Sequence, residues 1–202
     1  MSNLIRSSVV SGAVVLLGVS ASALASERIT GAGATFPAQI YQRWFGMLAG
    51  NDGPMVNYQA IGSGSGRKAY LDQTVNFGAS DDPMISRDRR KVKRGVVQIP
   101  MIGGTIAFGY NKPGCDLKLT QEQAVKVAMS VIKDWSELGC ASGPITWVHR
   151  SDGSGTTKAF TNSMAAFSSA WTLGTGKAVS WPSGVGAKGC LLYTSDAADD
   201  RI

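Results

Sequence analysis

The stretch of sequence that decides the fold is HRSDGSGTT, residues 149–157. It places a guanidinium, a carboxylate and small hydroxyl side chains around two glycines, and a helix is predicted to follow over residues 157–167. A helix start leaves backbone N–H groups without intrahelical partners and carries a partial positive charge, so it favours an anion. Arg150 adds a planar fork of donors that fits phosphate or carboxylate. The stretch indicates half of an oxyanion site; the alternative is an ordinary capped helix start beside a surface arginine.

The same arrangement of a strand, a Gly/Ser/Thr loop and a helix occurs at residues 31–37, 62–66 and 152–157. In open α/β sheets, ligands lie beyond the carboxyl ends of the strands, near helix starts. Three such helix starts can therefore meet on one oxyanion, although each loop taken alone is as well explained by a plain helix cap. The hydroxyl residues that they present are Thr35, Ser63, Ser154 and Thr156.

Asp81 narrows the kind of anion. A carboxylate repels an oxyanion unless the anion donates a proton, and phosphate carries one at neutral pH whereas sulfate carries none. Asp81 therefore favours phosphate, and Asp152 is interpreted as the partner that holds Arg150 in position. The alternative for Asp81 is a turn carboxylate that bonds its own backbone within the sequence SDDP, residues 80–83.

Composition indicates a globular protein and disfavours a nucleic-acid partner. The 202 residues are 44% hydrophobic and 17% charged, with a formal net charge of +6. The dense basic run at residues 87–94 lacks interleaved aromatic side chains and is interpreted as a solvated helix face.

Both ends of the chain are set apart from the fold. Residues 1–25 are typical of an export signal, with one charge at Arg6, an apolar run at residues 9–19 and cleavage predicted after Ala25; an uncleaved anchor is the alternative. Export implies an oxidising compartment, where Cys115 and Cys140 can pair or remain two free thiols. The composition changes abruptly at Cys190, and residues 190–202 are interpreted as a non-native tail.

Strands and helices alternate along the remaining chain, which predicts an α/β fold with mostly parallel sheets. The first predicted helix places Ile40, Trp44 and Leu48 on one face, and Thr120 with Gln123 resembles a capping box. The predicted strands are 26–30, 56–61, 75–79, 96–99, 105–110 and 145–148. The predicted helices are 37–48, 67–73, 87–94, 120–132 and 157–167.

Four motifs in register resemble the periplasmic phosphate-binding proteins of high-affinity phosphate ABC transporters. They are TGAGATFPA (30–38), NYQAIGSG (57–64), VNFGASD (75–81) and RSDGSGT (150–156), and WPSGVG (181–186) is similar as well. The resemblance covers about residues 29–189. It implies a two-lobed, type II periplasmic-binding-protein-like fold, each lobe a mostly parallel sheet flanked by helices, that closes on a dehydrated phosphate.

The resemblance also implies the ligands and partners. The partners are inorganic phosphate and a membrane ABC transporter permease; the location is periplasmic, the protein is a monomer, and no cofactor or metal is expected. Lobe one is expected to begin with residues 26–104 and part of lobe two to span residues 105–189. Asp152 matches the arginine-orienting carboxylate of the family. The implied phosphate ligands are Thr35, Phe36 through its backbone N–H, Ser63, Asp81, Arg150, Ser154, Gly155 through its backbone N–H, and Thr156.

Members of the family are considerably longer, because their chain completes the second lobe and then returns to the first. The C-terminal half of that fold has no counterpart after Gly189 in this sequence. The polypeptide as written is therefore expected to fold poorly and to bind phosphate weakly.

Other functions fit the sequence less well. A binding protein for sulfate or another oxyanion has no use for Asp81. A secreted phosphatase needs a nucleophile with a base or a metal cluster, and His149 is the single histidine in a chain without a Gly-x-Ser-x-Gly elbow. A nucleotide-binding enzyme is disfavoured because residues 62–68 lack the Gly-Lys-Ser/Thr ending of a phosphate-cradling loop. No enzymatic activity is predicted.

Overall fold

A computed structural model of the chain describes residues 28–190. The predicted export signal and its cleavage site lie outside the described residues, as does the predicted tail after its first residue, Cys190. Within the described part, no helix combines the length and the apolar character needed to cross a bilayer.

Two parallel sheets organise these residues. The first has the strand order β2-β1-β3, and the second pairs β4 with β5. A 3₁₀ turn, Trp135–Leu138, precedes β4. The elements are β1 (Arg28–Gly33), α1 (Ala38–Gly50), β2 (Met55–Ala60), α2 (Ser63–Leu71), β3 (Phe77–Ala79), α3 (Ser86–Arg89), α4 (Gln121–Ala128), β4 (Val148–Arg150), α5 (Gly155–Phe167) and β5 (Val185–Ala187).

β1 lies at the centre of the first sheet, with Arg28 opposite Met55 on β2 and Gly31 opposite Phe77 on β3. The chain leaves β1 for β2 on one side and reaches β3 on the other. The carboxyl ends of β1 and β3 therefore flank a topological switch point, where ligands bind in open α/β sheets. This strand order places the loops that carry Thr35 and Asp81 next to each other.

α4 and α5 pack against each other, and residues next to the strands of the second sheet join their core. The register of that sheet sets Val148 opposite Val185. Trp147, Phe160 and Trp181 pack against the core. The capping box is confirmed, because Gln123 N donates to Thr120 Oγ1 at 3.2 Å and Thr120 N donates to Gln123 Oε1 at 2.9 Å. The buried core residues are Ala124, Val125, Ala128, Met164 and Trp171.

The prediction of α/β architecture with parallel sheets is confirmed, but several element predictions are wrong. The loops at 31–37 and 62–66 are shorter than predicted, because residues 31–33 pair with both neighbouring strands and α2 already begins at Ser63. The basic helix ends at Arg89 rather than at residue 94, α4 ends at Ala128, and β5 was not predicted.

The two strands predicted at 96–99 and 105–110 are wrong. Both segments are irregular, because no strand in the described part of the chain lies beside them to form a ladder. Their apolar side chains stay exposed, with Val97 at 83% and Ile99 at 70% of full exposure. An alternating apolar pattern therefore predicts a strand only when a pairing partner is present.

The predicted buried face of the first helix is also wrong. Trp44 and Leu48 are exposed, whereas Ala38 and Tyr41 are buried. Tyr41 packs edge-on against Tyr58 of β2, with ring centroids 5.3 Å apart. The contact with β2 thus uses a face of α1 rotated from the predicted one.

Candidate functional site

Backbone hydrogen bonds draw the loops after four strands into one place. Ala34 N donates to Ala79 O at 2.9 Å, which joins the ends of β1 and β3. Gly62 N donates to Gly33 O at 2.9 Å, which brings in the end of β2. Gly64 N donates to Gly153 O at 2.7 Å, so the start of α2 meets the loop after β4. The two sheets therefore share one cluster of helix starts.

Thr35 and Arg150 point at a common atom. Thr35 Oγ1 donates to Cys190 Sγ at 3.1 Å, and one Arg150 Nη lies 3.3 Å from the same sulfur. Cys190 N returns a hydrogen bond to Thr35 Oγ1 at 3.0 Å. As whole residues, Thr35 and Arg150 are buried, at 8% and 7% of full exposure. A hydroxyl from the loop after β1 and a guanidinium from β4 therefore converge on one point.

The orientation of Arg150 is set by Asp152. Arg150 Nε and one Arg150 Nη donate to the two carboxylate oxygens of Asp152. Gly189 N donates a further hydrogen bond to Asp152 Oδ1 at 3.2 Å. Burial would raise the pKa of Asp152, but the bonds from Arg150 and Gly189 outweigh it and hold the pKa below its ordinary value. Gly62 makes room for this pair: its φ is +87°, and a Cβ there would lie 2.3 Å from Asp152 Oδ2.

A second group of residues surrounds Asp81. Thr156 Oγ1 donates to Asp81 Oδ2 at 3.0 Å, and Asp81 N lies 3.4 Å from Ser63 Oγ. Gly155 is pressed against both, because a Cβ there would lie 2.7 Å from Asp81 Cβ and 2.9 Å from Ser63 Oγ. Loss of water around the carboxyl raises the pKa of Asp81, although the Thr156 bond and the Arg150 charge oppose the rise.

Two further predicted ligands, Ser154 and Phe36, lie at the starts of α5 and α1. Ser154 is buried and caps α5, accepting from Thr157 N at 3.1 Å, while its own N–H donates to Lys177 O at 2.9 Å. The hydroxyl proton of a capping serine is still available for a second bond. Phe36 follows Thr35 in the loop before α1, and its exposed ring lies against Gly104.

Sequence reasoning missed an ionic network beside the site. Asp82 accepts from Arg67 at 2.9 Å and from Lys177, so it joins α2 to the loop that follows α5. These ion pairs keep the pKa of Asp82 low although desolvation opposes them. Asp82 was visible next to Asp81 in the sequence. Lys177 lies in an irregular loop whose position only the folded chain defines.

The clustered hydroxyl groups, backbone N–H groups and the Arg150 guanidinium are donors of the kind that hold oxyanions. His149 stacks on Trp181 with ring centroids 5.1 Å apart, and its Nδ1 lies 3.1 Å from Arg150 O. These contacts give His149 a packing role. Among residues 28–190, no three His, Cys, Asp or Glu side chains are grouped to hold a metal ion. Cys115 and Cys140 form a disulfide, with Cα atoms 5.4 Å apart, in the segment that leads to α4 and the turn after it.

Comparison with known proteins identifies relatives of this fold. A family model described as a PBP superfamily domain matches residues 18–199. The phosphate-binding protein PstS of Pasteurella multocida is 41% identical over 179 residues, a match that covers 81% of this chain and 51% of that protein. The ancestral soluble variant of the human phosphate binding protein, known from a crystal structure, is 25% identical with a TM-score of 0.67 over 80% of this chain and 50% of that one. These likenesses and the parallel sheets flanked by helices show a type II periplasmic-binding-protein fold.

Two of the relatives carry an enzyme's name, alkaline phosphatase L. Alkaline phosphatase L of Pseudomonas aeruginosa strain UCBPP-PA14 is 29% identical and aligns with 80% of this chain and 46% of that protein. The chain spans about half the length of these curated relatives.

Proposed function

Because this chain belongs to the PBP superfamily, we propose that it binds inorganic phosphate outside the cytoplasmic membrane for delivery to the permease of an ABC transporter. The names of the phosphate-binding relatives support this ligand. The proposed ligand groups are the side chains or N–H groups of Thr35, Phe36, Ser63, Asp81, Arg150, Ser154, Gly155 and Thr156.

The observation that carries the proposal is the acidic member of the cluster. Asp81 shares a hydrogen bond with Thr156 and lies against Ser63 and Gly155, within the field of the buried Arg150. A site built only from donors would accept sulfate and phosphate alike. A carboxylate among those donors favours an anion with a proton to give, because sulfate leaves a repulsive contact.

Calorimetric titration of the full chain with phosphate and with sulfate tests the ligand. We expect phosphate to bind and sulfate to compete at least about tenfold more weakly, since a buried unpaired contact costs roughly 1–3 kcal/mol. Asp81→Asn places an amide donor where the acceptor was, so it should reduce or reverse the preference for phosphate over sulfate. Equal binding of the two anions by the parent chain, or no phosphate binding at all, would contradict the proposal.

A phosphatase is the second candidate, because of the relatives named alkaline phosphatase L. We propose a binding role instead, since His149 is held by Trp181 and the Arg150 carbonyl rather than by a hydroxyl nucleophile. Incubation with a chromogenic phosphate ester distinguishes the two. Turnover that Arg150→Gln abolishes would favour the enzyme.

A further inference from the structure

The segment that follows the Asp81 loop concentrates positive charge. Residues 87–94 read RDRRKVKR, with six basic side chains and one carboxylate, which gives a formal charge of +5. α3 holds the first part of this run. We call residues 87–94 the basic segment.

The one carboxylate of the basic segment is already shared. Asp88 lies 3.6 Å from Lys91 Nζ, 3.9 Å from Arg87 Nε and 3.5 Å from Arg67. Its side chain is only 14% exposed, whereas those of Arg87 and Lys91 are 74% and 61% exposed. A single carboxylate cannot neutralise this group, so the surplus charge faces solvent.

Fixed contacts hold the basic segment beside the proposed phosphate site. Arg67 bridges the two, because one Nη donates to Asp82 Oδ2 and Asp82 O, each at 2.9 Å, while the other reaches Asp88. Asp82 is the neighbour of Asp81 in the chain. At the far end, Val92 is buried and Arg94 donates to Val75 O at 2.7 Å while lying over the Tyr70 ring at 4.5 Å. The charges therefore have a defined position close to the site.

We propose that the basic segment is an electrostatic capture surface that speeds the arrival of phosphate at the Asp81–Arg150 site, an inference that rests on the proposed function. Charges act over a Debye length of about 10 Å at 0.1 M ionic strength, and one guanidinium spans the gap between Asp82 and Asp88. Fixed charge at the mouth of a site raises the local concentration of an oppositely charged ligand. The expected effect is on the association rate, because none of these side chains is among the proposed phosphate ligands.

The test neutralises three exposed side chains outside the ion pairs described for Asp88, in the triple variant Arg89→Gln, Arg90→Gln and Lys93→Gln. A matched control removes the same charge from Lys118, Lys126 and Lys133, which lie on α4 and its flanking loops and are not among the proposed ligands or the basic segment. The phosphate dissociation constant comes from titration and the dissociation rate from ³¹P NMR exchange line shapes. Their ratio gives the association rate.

At about 20 mM ionic strength we expect the triple variant to lose about 3- to 10-fold in association rate, with the dissociation rate unchanged and the control nearly unaffected. The difference should vanish near 1 M salt, where the Debye length is about 3 Å. An unchanged association rate in a parent that binds phosphate overturns the capture role alone, as does an equal loss in the control. A parent that binds no phosphate overturns the proposed function, and this inference with it.

Discussion

At the scale of single residues, Asp152 is the carboxylate that holds Arg150 in its orientation. The Arg150 and Asp152 side chains are 5% and 9% exposed, so the guanidinium has little water to replace a lost carboxylate. A buried charge without its partner costs far more than a broken surface ion pair. Breaking this pair should therefore cost more free energy of unfolding than breaking an ion pair at the protein surface.

We predict that Asp152→Asn lowers the free energy of unfolding by roughly 3 kcal/mol and weakens phosphate binding about tenfold or more. Asp116→Asn is the control, because Asp116 and Lys118 are both 84% exposed and their pair should contribute less than about 1 kcal/mol. Urea unfolding measures the stability of both variants, and calorimetric titration measures their affinity for phosphate. Similar losses in the two variants would show that burial does not strengthen the Arg150 pair.

The pH dependence of this contribution follows from the low pKa of Asp152. A carboxyl whose pKa falls on folding stabilises the protein above its unfolded value, ordinarily 3.8, and the benefit is lost as pH falls through the lower folded value. The difference in free energy of unfolding between the parent and Asp152→Asn should therefore be largest at neutral pH and shrink below about pH 4. Asp81, whose pKa is raised, acts with the opposite sign, because the charged form that exists at neutral pH is the disfavoured one.

At the scale of elements, close contact between helix and strand fixes the position of the site. A Cβ at Gly66 of α2 would lie 2.2 Å from Gly33 Cα and 2.6 Å from Ala32 O of β1. These are backbone atoms that cannot rotate away. The glycine therefore allows the start of α2, with Ser63, to approach the end of β1.

We predict opposite effects for two glycine substitutions within helices. Gly66→Ala should destabilise the protein by about 2 kcal/mol or more, because overpacking against backbone exceeds the roughly 1 kcal/mol that alanine gains in a helix. Gly46→Ala in α1 has nothing within 4 Å of the new methyl group and should stabilise by up to about 1 kcal/mol. Denaturant midpoints compare the two, and stabilisation by Gly66→Ala would refute the close packing of α2 on β1.

Local signals predicted the parts of elements that depend on neighbours in sequence. The Thr120–Gln123 capping box and the helix start at residues 154–157 were visible because each needs only one turn of chain. The strand at residues 105–110 was predicted wrongly and β5 was missed, because a strand is stabilised by a partner that is distant in sequence. The loop after β1 begins later than predicted for the same reason, because residues 31–33 pair with both neighbouring strands.

At the scale of the whole molecule, the disulfide closes a long loop. Cys115 and Cys140 are 25 residues apart, and the enclosed chain contains α4. Such a bond lowers the conformational entropy of the unfolded chain, which raises the free energy of unfolding by about 3 kcal/mol in the chain-entropy model.

We predict that replacing both cysteines by serine lowers the free energy of unfolding by about 3 kcal/mol. The comparison belongs in a Cys190→Ser background, because the free thiol of Cys190 would otherwise complicate redox conditions. A reducing agent should lower the stability of the parent toward that of the double variant and leave the variant unchanged. Insensitivity of the parent to reduction would contradict the prediction.

The sequence by itself determined the α/β class, the glycine-rich helix starts and the polar residue types beside them, because periodicity, caps and turns are short-range properties. Only the tertiary structure decided that β1 lies between β2 and β3, that Thr35 and Arg150 converge on one point, and that Lys177 reaches Asp82. Those relations depend on pairing and packing between residues far apart in the chain. These contacts stabilise the protein only once the sheets have formed.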